Sequence, residues 1–278
     1  MVRALSFTHF WIAGAAAMTT WASWEWAGQD EGTAVWAIWV GLSTGLGYTV
    51  QRAIKHGLDA ANMPPMRRAF WDGHRNAMVG GWVLAWVAFT SWRWDELLLL
   101  DQVPWLLTLG VLGLFYAVVP GTRRGLRASP WLKIPIIATA WALATTPTFD
   151  GVNVGLFASR WLLIAGLTLP FDVRDLAVDQ HRISTIPMAW GASLSLRVAT
   201  LLLLGSGMCL YLSKTWGVQP DLSALLLAQS ILAATLVASP FLARGLSDGA
   251  EREREKWAGL VLDGVLWLPL LHAAYDLI

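Results

Sequence analysis

Residues 171–187, Phe-Asp-Val-Arg-Asp-Leu-Ala-Val-Asp-Gln-His-Arg-Ile-Ser-Thr-Ile-Pro, place three carboxylates, Asp172, Asp175 and Asp179, at i, i+3 and i+7. On a helix that spacing lines all three along one face. They follow directly on the apolar run 152–170, so an acidic face sits at the mouth of a membrane helix. Carboxylates crowded there repel one another, and a divalent cation relieves the repulsion. Magnesium, which binds through carboxylates and shares its shell with substrate phosphates, suits the pattern. A solvated helix end whose acids answer the helix dipole produces the same spacing. Both readings stand on spacing alone.

The rest of the chain says what kind of protein carries this stretch. Of 278 residues, 56% are hydrophobic and 14% charged, against about 25% charged in soluble domains. This is the composition of an integral membrane protein. The first apolar stretch, 7–26, is long enough to span and lacks the cleavage pattern of a signal peptide. The one cysteine, Cys209, excludes an intrachain disulfide and any thiolate metal cluster. A net charge of +1 argues against an acidic partner, and nothing points to nucleic acid.

A hydrocarbon core of ~30 Å needs about 20 apolar residues per helix. Nine spans fit: 5–26, 33–51, 76–92, 97–119, 131–149, 152–170, 190–213, 222–243 and 256–277. No internal repeat or low-complexity linker divides them, so 1–278 reads as one all-α, polytopic domain. The connections alternate in charge. Arg52, Lys55, Arg67, Arg68 and Arg75 follow span two, and Arg123, Arg124 and Arg127 follow span four. Arg174 and Arg182 follow span six, and Arg244, Arg252, Arg254 and Lys256 follow span eight. The opposite side is acidic, with Asp30, Glu31, Asp95, Glu96, Asp101, Asp150 and Asp221. The positive-inside rule then puts the even loops and the N-terminus in the cytoplasm. The 19 tryptophans read mainly as interfacial anchors: Trp21, Trp24, Trp26, Trp36, Trp92, Trp94, Trp105 and Trp216 outside, Trp71, Trp131, Trp190 and Trp257 inside.

Acidic stretch, cytoplasmic loop and nine spans together resemble the UbiA superfamily of intramembrane prenyltransferases. Asp172, Asp175 and Asp179, with Arg174 among them and Ser184-Thr185-Ile186-Pro187 after them, match that family's second aspartate-rich motif. Tyr116, Arg123-Arg124 and Leu132-Lys133-Ile134-Pro135 are similar to its loop 4–5 and helix-5 lysine. The resemblance implies a nine-helix bundle and transfer of an isoprenoid chain from its diphosphate to a lipophilic acceptor, often an aromatic ring. It implies magnesium on Asp172, Asp175 and Asp179, and a cationic clamp of Arg123, Arg124 and Lys133, with Arg174 as a further clamp or a balance to its acidic neighbours. A bacterial inner membrane is the expected location.

The first motif departs from that pattern. Where the family has Asn-Asp-x-x-Asp-x-x-x-Asp, this chain reads Gln51-Arg52-Ala53-Ile54-Lys55-His56-Gly57-Leu58-Asp59. Two aspartates are replaced by cations, and only Asp59 survives. A cation cannot ligate magnesium, so one metal site is expected to be lost. Three consequences compete: Arg52 and Lys55 bind diphosphate directly while one magnesium stays on Asp172, Asp175 and Asp179; the cations pair with the second motif and lock it; or Asp59, Asn62 and Asp72 supply ligands in a rearranged loop. The rival to an enzyme is therefore a non-catalytic subunit of the same fold, holding a lipid, quinone or carotenoid within a membrane complex.

Outside the motifs, Arg160 and Asp263 fall mid-span, where ionisable groups pair or face the bundle interior, and they read as partners for each other. The five histidines are scattered without metal-ligand spacing. His56 and His181 border the site. The segment 59–75, stiffened by Pro64-Pro65, reads as a lid over the cytoplasmic mouth.

Overall fold

The computed structural model describes residues 7–29, 31–59, 63, 65–99, 108–109, 129–147, 153–179, 185–213, 220–247 and 257–270. The described residues form helices and no strand. In chain order these are α1 (Phe10–Trp26), α2 (Thr33–Asp59), α3 (Pro65–Trp92), α4 (Trp94–Leu99), α5 (Pro130–Thr145), α6 (Val154–Asp179), α7 (Ile186–Trp190), α8 (Ala192–Ser213), α9 (Pro220–Ala238) and α10 (Pro240–Ser247). A π-helical turn, Trp257–Leu262, and a 3₁₀ turn, Val265–Trp267, follow.

Local chemistry sets several of these ends. The Asn153 side chain accepts a hydrogen bond from Leu156 N–H at 3.0 Å, an N-cap for α6. Pro130 opens α5, where its missing N–H costs nothing. Ser239 interrupts what was read as one span over 222–243: its hydroxyl accepts from Leu242 N–H at 3.4 Å, and Pro240 starts α10 afresh. Two helices begin or end beyond the expected bounds. α2 runs on to Asp59, and α3 begins at Pro65, so the lid expected over 59–75 is in large part the first turns of α3. Pro65 opens a helix there instead of stiffening a loop.

The helices pack as a bundle in which α8 lies against α6 and α9, α1 against α2, α5 against α6, and α2 against α3. The largest core joins Leu163, Leu167 and Leu169 of α6 to Ala199 and Leu203 of α8 and to Val237 of α9. Two glycines lie close against the backbone of a neighbouring helix. A methyl group added at Gly166 would lie 2.7 Å from Leu203 Cγ and 3.0 Å from the Ala199 carbonyl oxygen. One added at Gly41 would lie 2.9 Å from the Ala13 carbonyl oxygen and 3.0 Å from Ala17 Cβ. Backbone cannot turn aside as a side chain can, so Gly41→Ala is expected to destabilise the protein by about 1–3 kcal/mol. Thermal unfolding of the detergent-solubilised variant measures this; an unchanged midpoint would mean that α1 and α2 separate freely.

Two stretches, Val154–Leu176 within α6 and Ala192–Ser213, are long and apolar enough to cross a membrane on length and composition. The tryptophans correct the expectation of an interfacial belt. Trp92, Trp94, Trp131 and Trp190 are exposed, but Trp24, Trp26, Trp36 and Trp71 are buried. The reason is volume. α1 presents Ala13, Ala15, Ala16, Thr19, Ala22 and Ser23 to the interior, and indoles fill the space that such small side chains leave. Two of their N–H groups find internal acceptors, Trp26 Nε1 donating to Ser223 Oγ at 3.2 Å and Trp36 Nε1 to the Ala144 carbonyl at 3.1 Å.

Candidate functional site

Between α1, α2, α5 and α6 the bundle leaves a chamber of about 780 Å³. Its walls are mostly apolar, with Trp39 and Val40 of α2, Ile137 and Trp141 of α5, and Ile164 and Leu167 of α6. Polar side chains also line it: Arg52 on α2, Arg67 on α3, Lys133 on α5, and Asp172, Arg174 and Asp175 on α6. Four helices thus bring charge to one cavity.

α6 continues through Pro170 into the acidic stretch. Pro170 lacks a backbone donor, which releases the carbonyl four residues earlier, at Gly166. The i, i+3 spacing does what the sequence suggests, since Asp172 and Asp175 both face the chamber. Asp172 is buried and accepts a charge-assisted hydrogen bond from Lys133 Nζ, tying α6 to α5. Asp175 is partly exposed and takes Arg174 bidentately, Nε donating to Oδ1 at 2.7 Å and Nη2 to Oδ2 at 2.9 Å. The Arg174 guanidinium also lies over the Phe171 ring, 5.1 Å from its centroid. Asp179 is the last residue of α6, one turn beyond Asp175, and its side chain lies outside the described residues.

On the opposing wall, Gln51 and Arg52 of α2 line the chamber. Lys55 and Asp59 continue α2, and their side chains lie outside the described residues, as do Tyr116, Arg123 and Arg124 altogether. Asp72 does not join the site. It is exposed on α3, where it meets His56 Nε2 of α2 at 2.8 Å, so that histidine serves a helix–helix contact. His181 lies outside the described residues.

The mid-span pair is also corrected. Arg160 is fully buried, but its Nε donates to Ser23 Oγ of α1 at 2.8 Å, and its Nη2 has no hydrogen-bond partner among the described residues. Asp263 instead lines the chamber. The pairing failed because similar depth along two helices does not fix which faces meet.

Sequence reading missed two chamber residues. Arg67 reads in the sequence as one of several loop charges; the start of α3 at Pro65 carries it to the chamber. His9 gave no signal at all: it precedes α1, forty residues from the Thr49 hydroxyl it contacts at 3.0 Å.

Among the described residues no group of three or more His, Cys, Asp and Glu side chains is gathered for a metal. The donor chemistry fits one magnesium on the α6 side, where Asp172 and Asp175 offer hard oxygen ligands on one face. It does not fit a second on the α2 side, where Gln51 and the cation Arg52 line the chamber.

The all-α bundle, with its apolar chamber and charged end at the foot of α6, shares its fold with two solved structures. The chain is similar over 98% of its length to a UbiA homologue from Archaeoglobus fulgidus bound to GPP and Mg2+, covering 99% of that chain with a TM-score of 0.63 and 13% sequence identity. It is similar over 99% of its length to a digeranylgeranylglyceryl phosphate synthase in membranes, covering all of that chain with a TM-score of 0.53 and 13% identity. No family model matches the sequence, and no curated protein does.

Proposed function

We propose that this chain is a UbiA-type intramembrane prenyltransferase that takes an isoprenoid diphosphate and transfers its chain to a lipophilic acceptor. The observation that carries the reading is the union, in one chamber, of apolar walls with Arg52, Arg67, Lys133 and Arg174. A long hydrocarbon and a polyanionic head need that combination, and few other ligands do. In this reading the bilayer holds nine spans with the N-terminus in the cytoplasm of a bacterial cell, and the diphosphate enters from that side.

The chemistry follows from charge. Leaving of the diphosphate breaks the allylic C–O bond and builds negative charge on its oxygens. Fixed cations aimed at that charge in a water-poor cavity lower the barrier. Arg52 and Arg67 approach from α2 and α3, Lys133 and Arg174 from α5 and α6; the further cations of this reading, the Lys55 side chain, Arg123 and Arg124, lie outside the described residues. Arg suits this task because its planar fork meets two phosphate oxygens at once. Asp172, Asp175 and Asp179 would hold one magnesium, which supplies further neutralisation of the leaving group. The apolar walls keep water from the allylic cation.

Purified protein with magnesium is expected to bind a radiolabelled allylic diphosphate such as GPP and to consume it when membrane lipids are present as an acceptor source. Asp175→Ala is expected to lower consumption about 100-fold or more. Failure of the wild type to bind the diphosphate would overturn this reading in favour of the non-catalytic subunit.

A further inference from the structure

His9 is the one described residue other than glycine with a positive φ, at 62°. A side chain in that left-handed region costs of order 1–3 kcal/mol unless its surroundings hold it there. Here they do. The carbonyl of Thr8 accepts from Trp82 Nε1 at 3.0 Å, the Phe10 ring packs 5.0 Å from Trp82, and the His9 carbonyl starts α1 by accepting from Ala13 N–H at 3.0 Å. The imidazole is therefore aimed by its backbone. It lies between the rings of Tyr48 and Trp71, at centroid distances of 6.0 and 5.9 Å, and is only 7% exposed.

What it is aimed at is the chamber. His9 lines it, and its Nδ1 is taken by Thr49 Oγ1. No hydrogen-bond partner of Nε2 exists among the described residues, which leaves that nitrogen to the cavity. With the proton on Nδ1 donated to Thr49, Nε2 presents a lone pair. Arg52 and Arg67 stand within electrostatic reach of the ring, so His9 is at the charged end where the isoprenoid carbon would be released.

We propose that His9 Nε2 accepts the proton that the acceptor loses during transfer, a role that rests on the prenyl-transfer reading above. The allylic C–O bond breaks and its electron pair leaves with the diphosphate. An electron pair of the acceptor forms the new bond to the isoprenoid carbon. The acceptor atom then sheds its proton to Nε2, and the pair from that bond returns to the acceptor. Imidazolium passes the proton to the departing diphosphate, which restores the starting ring.

His9→Asn and His9→Gly test this directly, because both residues accept a left-handed backbone. General base catalysis contributes 10²- to 10⁴-fold, so transfer to the acceptor is expected to fall about 100-fold in each. The dissociation constant for the allylic diphosphate, and release of diphosphate in the absence of acceptor, are expected to stay within about threefold of wild type. Added imidazole is expected to restore transfer to His9→Gly, which a merely structural residue would not allow. Transfer within threefold of wild type in folded His9→Asn would overturn the proposal, as would equal losses of diphosphate binding and transfer. If neither variant folds, Thr49→Val is read instead, with an expected tenfold loss in kcat at unchanged KM; an unchanged kcat overturns the proposal. A wild type that binds no diphosphate fails before any variant is compared, which separates failure of the parent reading from failure of this one.

Discussion

Lys133→Met is expected to cost about 3–5 kcal/mol of stability, the penalty for stranding one member of a buried ion pair. Asp172 is 2% exposed, and Lys133 is its hydrogen-bonding cation among the described residues. With methionine at 133 the carboxylate keeps its burial and loses the charge that compensates it. The double variant Lys133→Met/Asp172→Asn is expected to recover most of the loss, since neither charge is then left alone. Chemical unfolding of the four proteins in one detergent gives the coupling by a double-mutant cycle. A single-variant cost under about 1 kcal/mol would mean that the pair is solvated and that α5 and α6 are not joined through it. The same pair holds Asp172 on the chamber wall, so the cycle measures how firmly the site is built.

Arg52→Ala is expected to weaken binding of an allylic diphosphate by about 10- to 100-fold. A hydrogen bond to a charged group contributes about 1.5–3 kcal/mol, and each 1.4 kcal/mol is tenfold in affinity. Arg52→Lys is expected to fall between the two, because a point charge replaces a bidentate fork. Arg52→Asp, which puts a carboxylate on the α2 wall, is expected to bind more weakly than Arg52→Ala under chelation and to regain affinity steeply with added magnesium. Equilibrium binding with and without chelator separates these outcomes. An Arg52→Ala affinity equal to wild type would show that the altered motif does not touch the diphosphate, and the cationic clamp would lose its α2 arm.

The site was partly legible because its decisive residues lie close together in sequence. Asp172 and Asp175 needed only the 3.6-residue period to be placed on one face, and Arg174 needed only its position between them. Arg52 was readable as an intruder in an acidic pattern, although the reading left open whether it faced the site. Lys133 was reached by resemblance; its partner was not, since Lys133 and Asp172 are 39 residues apart. Trp24, Trp26 and Trp36 misled for a physical reason. Indole suits an interface and a core equally well, and the choice turned on packing beside small residues of α1, Ala16 with Trp24 and Trp36 and Ala22 with Trp26. Arg160 and Asp263 misled because a mid-span charge announces that it needs a partner without saying which helix provides one.

Periodicity and apolar run length are properties of neighbouring residues, and they alone determined that this is an all-helical chain of membrane composition with an acidic face at the foot of α6. The chamber is a different kind of quantity. Arg52, Arg67 and Lys133 share a cavity with Asp172 and Asp175, and His9 meets Thr49, through packing in which glycines such as Gly41 and Gly166 let helices close on a neighbouring backbone. That closure depends on the summed shapes of side chains far apart in the chain, so the tertiary structure alone decided which charges share one cavity and which nitrogen is left facing it.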